Sequence, residues 1–350
     1  MNNYFENLDT TIKEYFSILS EDFPDFLYDY IYTPEMQKQN GISVTCGTYY
    51  SHIFDKMLWY SSLDHSIAVS LIIWHFTKDK KQTISGLFHD IATPVFKHCI
   101  DVMNGDYEKQ ESTEELTTKI IRNSKEIMKL LNRDKIKVEE VDNYHIYPIA
   151  DNDTPMLSAD RLEYTLSNGL GVRKKLWNLK EVKEIYENIE IQENEQGIPE
   201  LGFRDVKIAE KFVTNMKTLS NFYSSNQTKL SMHFLSDIMK KMSEKGLVTS
   251  NDLYQLSEKE IIQKIEKCDY ANIAKCFKIW ENANEIGESD AYIPDKYCIE
   301  TKGKLRYIVP LVRNHNNFVR INEISEQARE DIEKAIHFKT KSFAYLNFKF

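Results

Sequence analysis

The sequence has no glycine-rich phosphate loop, no CxxC pair and no long apolar run. Its longest apolar stretch, Ile67 to Trp74, is interrupted by Ser70 and falls far short of the ~20 residues of a membrane-spanning helix, so no membrane association is expected. Five cysteines (Cys46, Cys99, Cys268, Cys276, Cys298) stand at unrelated spacings. That pattern argues against a disulfide framework or a zinc site and predicts reduced thiols in a cytoplasmic protein. Residues 1–7 carry neither a basic start nor an apolar core, so no secretory signal is expected. Glycine and proline are scarce, 11 and 8 in 350 residues, while 28% of the chain is charged and 41% hydrophobic. This composition predicts a compact, helix-rich chain rather than a disordered one. There is no basic excess either. A formal net charge of −9 disfavours nucleic acid as a partner, but a small phosphorylated ligand needs only a local cationic pocket.

Two apolar segments mark the centre of the chain. Leu63 to Phe76 is apolar nearly all round, as a fully buried helix is, with His65 at its opening turn. After the charged loop Lys78-Asp79-Lys80-Lys81, a second buried helix is predicted from Thr83 to Asp90, broken by Thr93-Pro94. An antiparallel pair joined by so short a loop would bring His65 near His89-Asp90. His98 and Asp101 follow at helical spacing, so the carboxylate can orient the imidazole.

The rest reads as a mainly α chain with small β pieces. Helical segments are predicted over 1–35, a hairpin or strand pair over Gly41–Tyr50, and a helix capped by Ser112 and Glu115 that runs to Leu131. Strand content is expected at His145–Ile149, and an amphipathic helix over Leu157–Leu166 carries Asp160 at its start. Gly169–Lys175 reads as a solvated basic turn. Beyond it come a polar hairpin near Glu195–Phe203, long helices over 205–245 and 252–285, strands at Tyr297–Glu300 and Leu305–Val309, and a closing helix over 326–337. The expected division is an N-terminal helical segment (1–40), a helical core with short hairpins (41–245) and a small α+β C-terminal part (246–350).

His65, His89, Asp90 and Asp160 form a set of two imidazoles and two carboxylates. Such a set suits a divalent ion (Mn²⁺, Mg²⁺, Fe²⁺, Ni²⁺ or Zn²⁺) with coordination positions left for phosphate oxygens.

His65, then His89-Asp90, then Asp160 within Ala-Asp-Arg-Leu-Glu-Tyr resembles the H…HD…D signature of HD-domain metal-dependent phosphohydrolases. His89–His98, Gln110-Glu111-Ser112, Asp160–Tyr164 and Cys46–Tyr50 are similar to the deoxynucleoside triphosphate triphosphohydrolase branch, over about residues 40–170. The resemblance implies an HD-type helical core, a bound divalent metal, a homo-oligomer, and hydrolysis of a deoxynucleoside triphosphate to nucleoside and triphosphate. It implies His65, His89, Asp90 and Asp160 as metal ligands, His98 with Asp101 as the proton-transfer pair, and Glu111 as accessory carboxylate. Arg161 would meet phosphate, with Tyr164 and Asn168 toward the sugar. The chain departs from many relatives at Thr93 and Gln110, where they carry histidine, and at Ser62 or its neighbours Ser61 and Leu63, where they carry arginine. These losses leave open a nucleotidase or phosphodiesterase on the same fold, or a nucleotide-binding regulatory protein without turnover.

Overall fold

The computed structural model describes residues 4–55, 57–106, 116–301, 304–315 and 317–349. Three short helices, α1 (Thr10–Leu19), α2 (Phe26–Ile31) and α3 (Pro34–Lys38), lead to the central helix α4 (Ser62–Thr77). Ser61 and Asp64 close a reciprocal cap on its first turn, and Lys78 in the left-handed region ends it. Its residues from Ser62 to Ile73 are buried, as the apolar pattern predicts. Helix α5 (Lys80–Phe88) returns antiparallel against it, and Gly86 lets the Ile73 side chain of α4 approach where a Cβ would clash.

Helix α6 (His98–Met103) follows the motif. The predicted Ser112–Glu115 cap lies outside the described residues, which resume before α7 (Thr117–Asn123) and α8 (Lys125–Asp134). Helix α9 (Ala159–Ser167) packs on α4, and α10 (Leu179–Glu187) leads to a hairpin, β1 (Ile189–Glu193) and β2 (Pro199–Phe203). Two long helices, α11 (Val206–Tyr223) and α12 (Asn226–Glu244), precede α13 (Ser250–Gln255), α14 (Glu258–Glu266) and α15 (Ala271–Glu281). The chain then alternates through β3 (Gly287–Ser289), β4 (Tyr297–Glu300), β5 (Leu311–Asn314), β6 (Asn317–Arg320), α16 (Ile321–Ile324), α17 (Glu326–Ile336) and β7 (Phe343–Leu346).

The fold is mainly α with two small sheets. One has strand order β1-β2-β5-β6, antiparallel except for the parallel β2/β5 pair. The other, β3-β7-β4, is antiparallel throughout. Two apolar cores result. The larger joins α1–α5 and α9–α11 to Ile308, Val312 and Ile332, and the smaller joins α6 and α12 to α14, α15 and β4.

Several sequence expectations are corrected. Gly41–Tyr50 is not a hairpin. Its hydrogen bonds run to the segment before α4 (Val44 N–H to the Tyr60 carbonyl, 3.1 Å) and into a 3₁₀ turn, with Cys46 and Gly47 left-handed. His145–Ile149 forms no strand; Tyr144–Ile146 is a 3₁₀ turn. Leu305–Val309 is not paired as a strand either, because the Val309 N–H donates to the Pro155 carbonyl at 2.8 Å and Pro310 has no N–H to offer. Strand pairing starts only at Leu311. Gly169–Lys175 is not a solvated turn. A π turn over Asn168–Val172, with Gly171 at φ 142, swings Arg173 inward, where it donates to Thr48 Oγ1 and, at 3.2 Å, to the Val44 carbonyl.

A candidate metal centre in a cationic cleft

Three helix ends deliver the central side chains. His65 lies in the first turn of α4, His89 directly follows α5, and Asp160 lies in the first turn of α9, whose start is capped by Ser158. His65 Nε2 stands 3.0 Å from Asp160 Oδ1 and 3.2 Å from His89 Nε2, and His89 Nε2 is 3.8 Å from the same carboxylate oxygen. Donors spaced like this match neighbouring ligands of one ion, since two bonds of ~2.1 Å at a right angle end about 3 Å apart. The remaining ring nitrogens are engaged behind the site: His65 Nδ1 by Glu163 and His89 Nδ1 by the Gly86 carbonyl at 2.7 Å. Both Nε2 atoms are thereby aimed at a common point, as metal-ligating histidines are. His65, His89 and Asp160 therefore fit a divalent cation.

Asp90 stands alongside. Its Oδ2 accepts from Lys97 Nζ at 2.5 Å and from Ser62 Oγ at 3.1 Å, and lies 3.8 Å from His89 Nε2. Burial would raise its pKa, but Lys97 and the two imidazoles hold it well below the carboxylate range. Burial alone would lower His65, yet Glu163 and Asp160 raise it to about 10, while that imidazole holds Asp160 low against its own burial.

His98 opens α6, and its Nδ1 lies 2.9 Å from Oδ2 of the fully buried Asp101, the pairing expected from their spacing. Its Nε2 faces Arg306 Nη2 at 3.5 Å. Burial lowers His98 below the usual imidazole range; Arg306 and Lys97 add to this and Asp101 opposes it. Arg306 comes from the extended segment before β5. The Val309–Pro155 hydrogen bond and a 2.5 Å bond from Ser220 Oγ to the Arg306 carbonyl fix that segment against the cleft.

His65, His89, Asp90, Asp160 and His98 line one cleft of about 460 Å³. Lys97, Arg161, Arg173, Lys229, Lys304 and Arg306 line it with positive charge and Asp90, Asp151, Asp153 and Asp160 with negative charge, Lys97 pairing with Asp90 and Arg161 with Asp151. Tyr164 and Asn168 line it too. The Asn168 amide donates to the Tyr164 carbonyl at 2.5 Å, and its buried Oδ1 has no partner among the described residues. Arg161 reaches the cleft wall but is occupied: it donates to Asn152 and, at 2.6 Å, to the Met156 carbonyl, and pairs with Asp151 at 3.1 Å. It holds the loop before α9 as much as it charges the cleft. Glu111 lies outside the described residues.

A phosphohydrolase from Bacteroides thetaiotaomicron superposes with a TM-score of 0.62 at 12% identity, covering 93% of this chain and 96% of that one. The two share a fold. So does a hypothetical protein from Aquifex aeolicus, with a TM-score of 0.60, 14% identity and 93% of each chain covered. The uncharacterized protein YdhJ of Bacillus subtilis is 22% identical over 285 residues, 81% of this chain and 83% of that one. No family model matches the sequence. Among the described residues no helix is long and apolar enough to cross a membrane.

Three residues escape the sequence reading. Glu163, fully buried, holds His65 and accepts from Tyr60 at 2.7 Å and Tyr15 at 3.3 Å. Its signal was present, an acid three positions after Asp160 on the inward face of the same helix. Lys97 lies inside the motif, but nothing in its neighbours says that it turns inward. Arg306 is 208 positions from His98 and has no local signal.

Proposed function

We propose that the protein is a metal-dependent phosphohydrolase acting on a nucleotide, with a (deoxy)nucleoside triphosphate, split to nucleoside and triphosphate, as the substrate. The observation that carries this reading is the meeting of His65, His89 and Asp160 in a cleft ringed by six cationic side chains. A polyanionic phosphate chain is the ligand such a cleft favours. A divalent cation held by His65, His89 and Asp160, with Asp90 beside them, would supply Lewis-acid neutralisation of the charge that develops at phosphorus.

The chain's own residues do the rest. Hydrolysis adds water across a P–O bond, so one proton leaves the water and one reaches the departing alkoxide. His98 Nε2, kept neutral by its surroundings and oriented by Asp101, accepts the first and can return it to the leaving oxygen. Arg306 and Lys304 attract the distal phosphates, and Asn168 Oδ1 offers a fixed acceptor to a sugar hydroxyl or base N–H. The fold shared with a solved phosphohydrolase supports the reaction class.

The test is a panel of deoxynucleoside and nucleoside triphosphates, nucleoside monophosphates and cyclic dinucleotides with Mn²⁺ or Mg²⁺. Release of intact triphosphate is expected. Orthophosphate from monophosphates, or opening of a cyclic dinucleotide, would assign a nucleotidase or phosphodiesterase instead. Thermal stabilisation by nucleotide without any turnover would assign a regulatory binder.

A further inference from the structure

Lys97 carries its charge into the cleft on an unusual backbone. Phe96 and Lys97 stand in succession at φ 59 and φ 46, the latter with ψ −119. Side chains with a Cβ avoid this region, and strain of this kind collects where function holds it in place. The Lys97 side chain is only 10% exposed, and its Nζ sits 2.5 Å from Asp90 Oδ2. An ammonium has three N–H donors. One goes to Asp90, and the residue lines the cleft, which leaves two donors for a ligand there.

Asp90, Asp160 and Glu163 bring three negative charges around the two imidazoles. One divalent ion leaves a single negative charge over, and the Lys97 ammonium cancels it. Many phosphoryl-transfer sites clamp the attacking and leaving oxygens between two cations ~3.5–4 Å apart. Among the described residues the donors His65, His89 and Asp160 form a cluster for one ion. The place beside Asp90 where a second cation would bind is taken by Lys97.

We propose that Lys97 is a built-in second cation: together with a single metal ion it binds a non-bridging oxygen of the substrate's phosphate chain. This rests on the phosphohydrolase reading above. The site then takes one metal ion per chain, and its ligand class is a phosphate ester or anhydride with at least two free oxygens on one phosphorus or on neighbouring ones. Lys97 is a binding residue in this scheme, and Asp90 holds its ammonium in place.

The test uses the full chain loaded with Mn²⁺ and desalted, with metal content by elemental analysis and inorganic tripolyphosphate binding by calorimetry. Wild type should hold one ion per chain. Lys97→Met should keep that ion and lose about 10- to 100-fold in tripolyphosphate affinity, the loss expected for one charge-assisted contact. Lys97→Arg should recover part of it. Lys97→Gln, which can still hydrogen-bond Asp90, carries the same expectation should the Met variant misfold. Two ions per wild-type chain, or unchanged tripolyphosphate affinity in a metal-loaded Met or Gln variant, would overturn the proposal and leave Lys97 as a counter-ion of Asp90. A wild type that binds neither Mn²⁺ nor tripolyphosphate would overturn it together with the phosphohydrolase reading.

Discussion

Nδ1 of His98 lies 2.9 Å from Oδ2 of Asp101, a carboxylate that is itself sealed from solvent. The bond fixes the ring's orientation and leaves Nε2 facing Arg306. His98→Gln should therefore keep the metal while lowering kcat by roughly 10²–10⁴, the usual contribution of a positioned acid or base. Metal analysis on the same preparation checks the assignment. Metal loss equal to that of Asp160→Ala would make His98 a ligand instead.

Arg306 tunes that histidine. Its guanidinium faces Nε2 and, after burial, helps to lower the imidazole below its usual range. A base that must be neutral works above its own pKa, so the acid limb of the kcat profile should fall below pH ~6.5. Arg306→Gln removes a positive charge and should move that limb upward, toward the ordinary imidazole value. Asp101→Asn removes a negative charge and should move it the other way. A profile that stays put in both variants would rule out His98 as the titrating group.

Glu163 should govern metal affinity without touching the metal. Glu163→Gln keeps the shape and loses the charge behind His65. Loss of such a supporting carboxylate typically costs 10- to 100-fold in affinity. Competition with a chelator measures it. Glu163→Ala also strands the Tyr15 and Tyr60 hydroxyls in the core and should lower stability by about 2–4 kcal/mol. Unchanged metal affinity in the Gln variant would reduce Glu163 to a structural role.

A pH signature of stability comes from Glu258. Its fully buried carboxylate lies near the Ser43 and Phe96 amides and the Tyr50 hydroxyl without a well-aligned bond to any described partner. Burial pushes it up to about 8, against those groups and Lys38. The folded state thus holds this proton more tightly than the unfolded chain does. The stability it contributes is complete below the unfolded pKa of about 4.5 and is lost as pH rises to about 8. Glu258→Gln should be nearly neutral at pH 4.5 and stabilising by a few kcal/mol at pH 8.5. Denaturant unfolding at the two pH values decides it, and an equal effect at both would refute the shift.

Gly169 marks a close approach beside the site. A Cβ there would lie 2.5 Å from the Trp177 ring, which is anchored by a 2.8 Å bond from its Nε1 to the Leu166 carbonyl. Gly169→Ala should cost about 1–3 kcal/mol and alter tryptophan fluorescence. Wild-type stability and emission would show that the ring yields freely.

The meeting of His65, His89 and Asp160 was legible because these residues sit on regular, strongly patterned helices. An apolar helix with a histidine in its first turn, a short loop and a second buried helix fix where His65 and His89 meet, and Asp160 follows from an amphipathic α9. The cleft walls were not legible. Arg173 enters through a π turn, Lys97 through two left-handed residues, and Arg306 through a segment whose N–H bonds go to distant carbonyls. None of these leaves a periodic trace. The strand expected at Leu305–Val309 shows the same limit, since its composition is strand-like but its partner is the Pro155 loop rather than a neighbouring strand.

That anchoring of Val309 on Pro155, and of the Arg306 carbonyl on Ser220, ties the segment before β5 to the middle of the chain and makes it one wall of the cleft. A fragment cut to the first two hundred and fifty residues would keep every metal donor yet surrender the guanidinium that faces His98. Excision would strip one wall from the cleft and leave the three clustered donors behind.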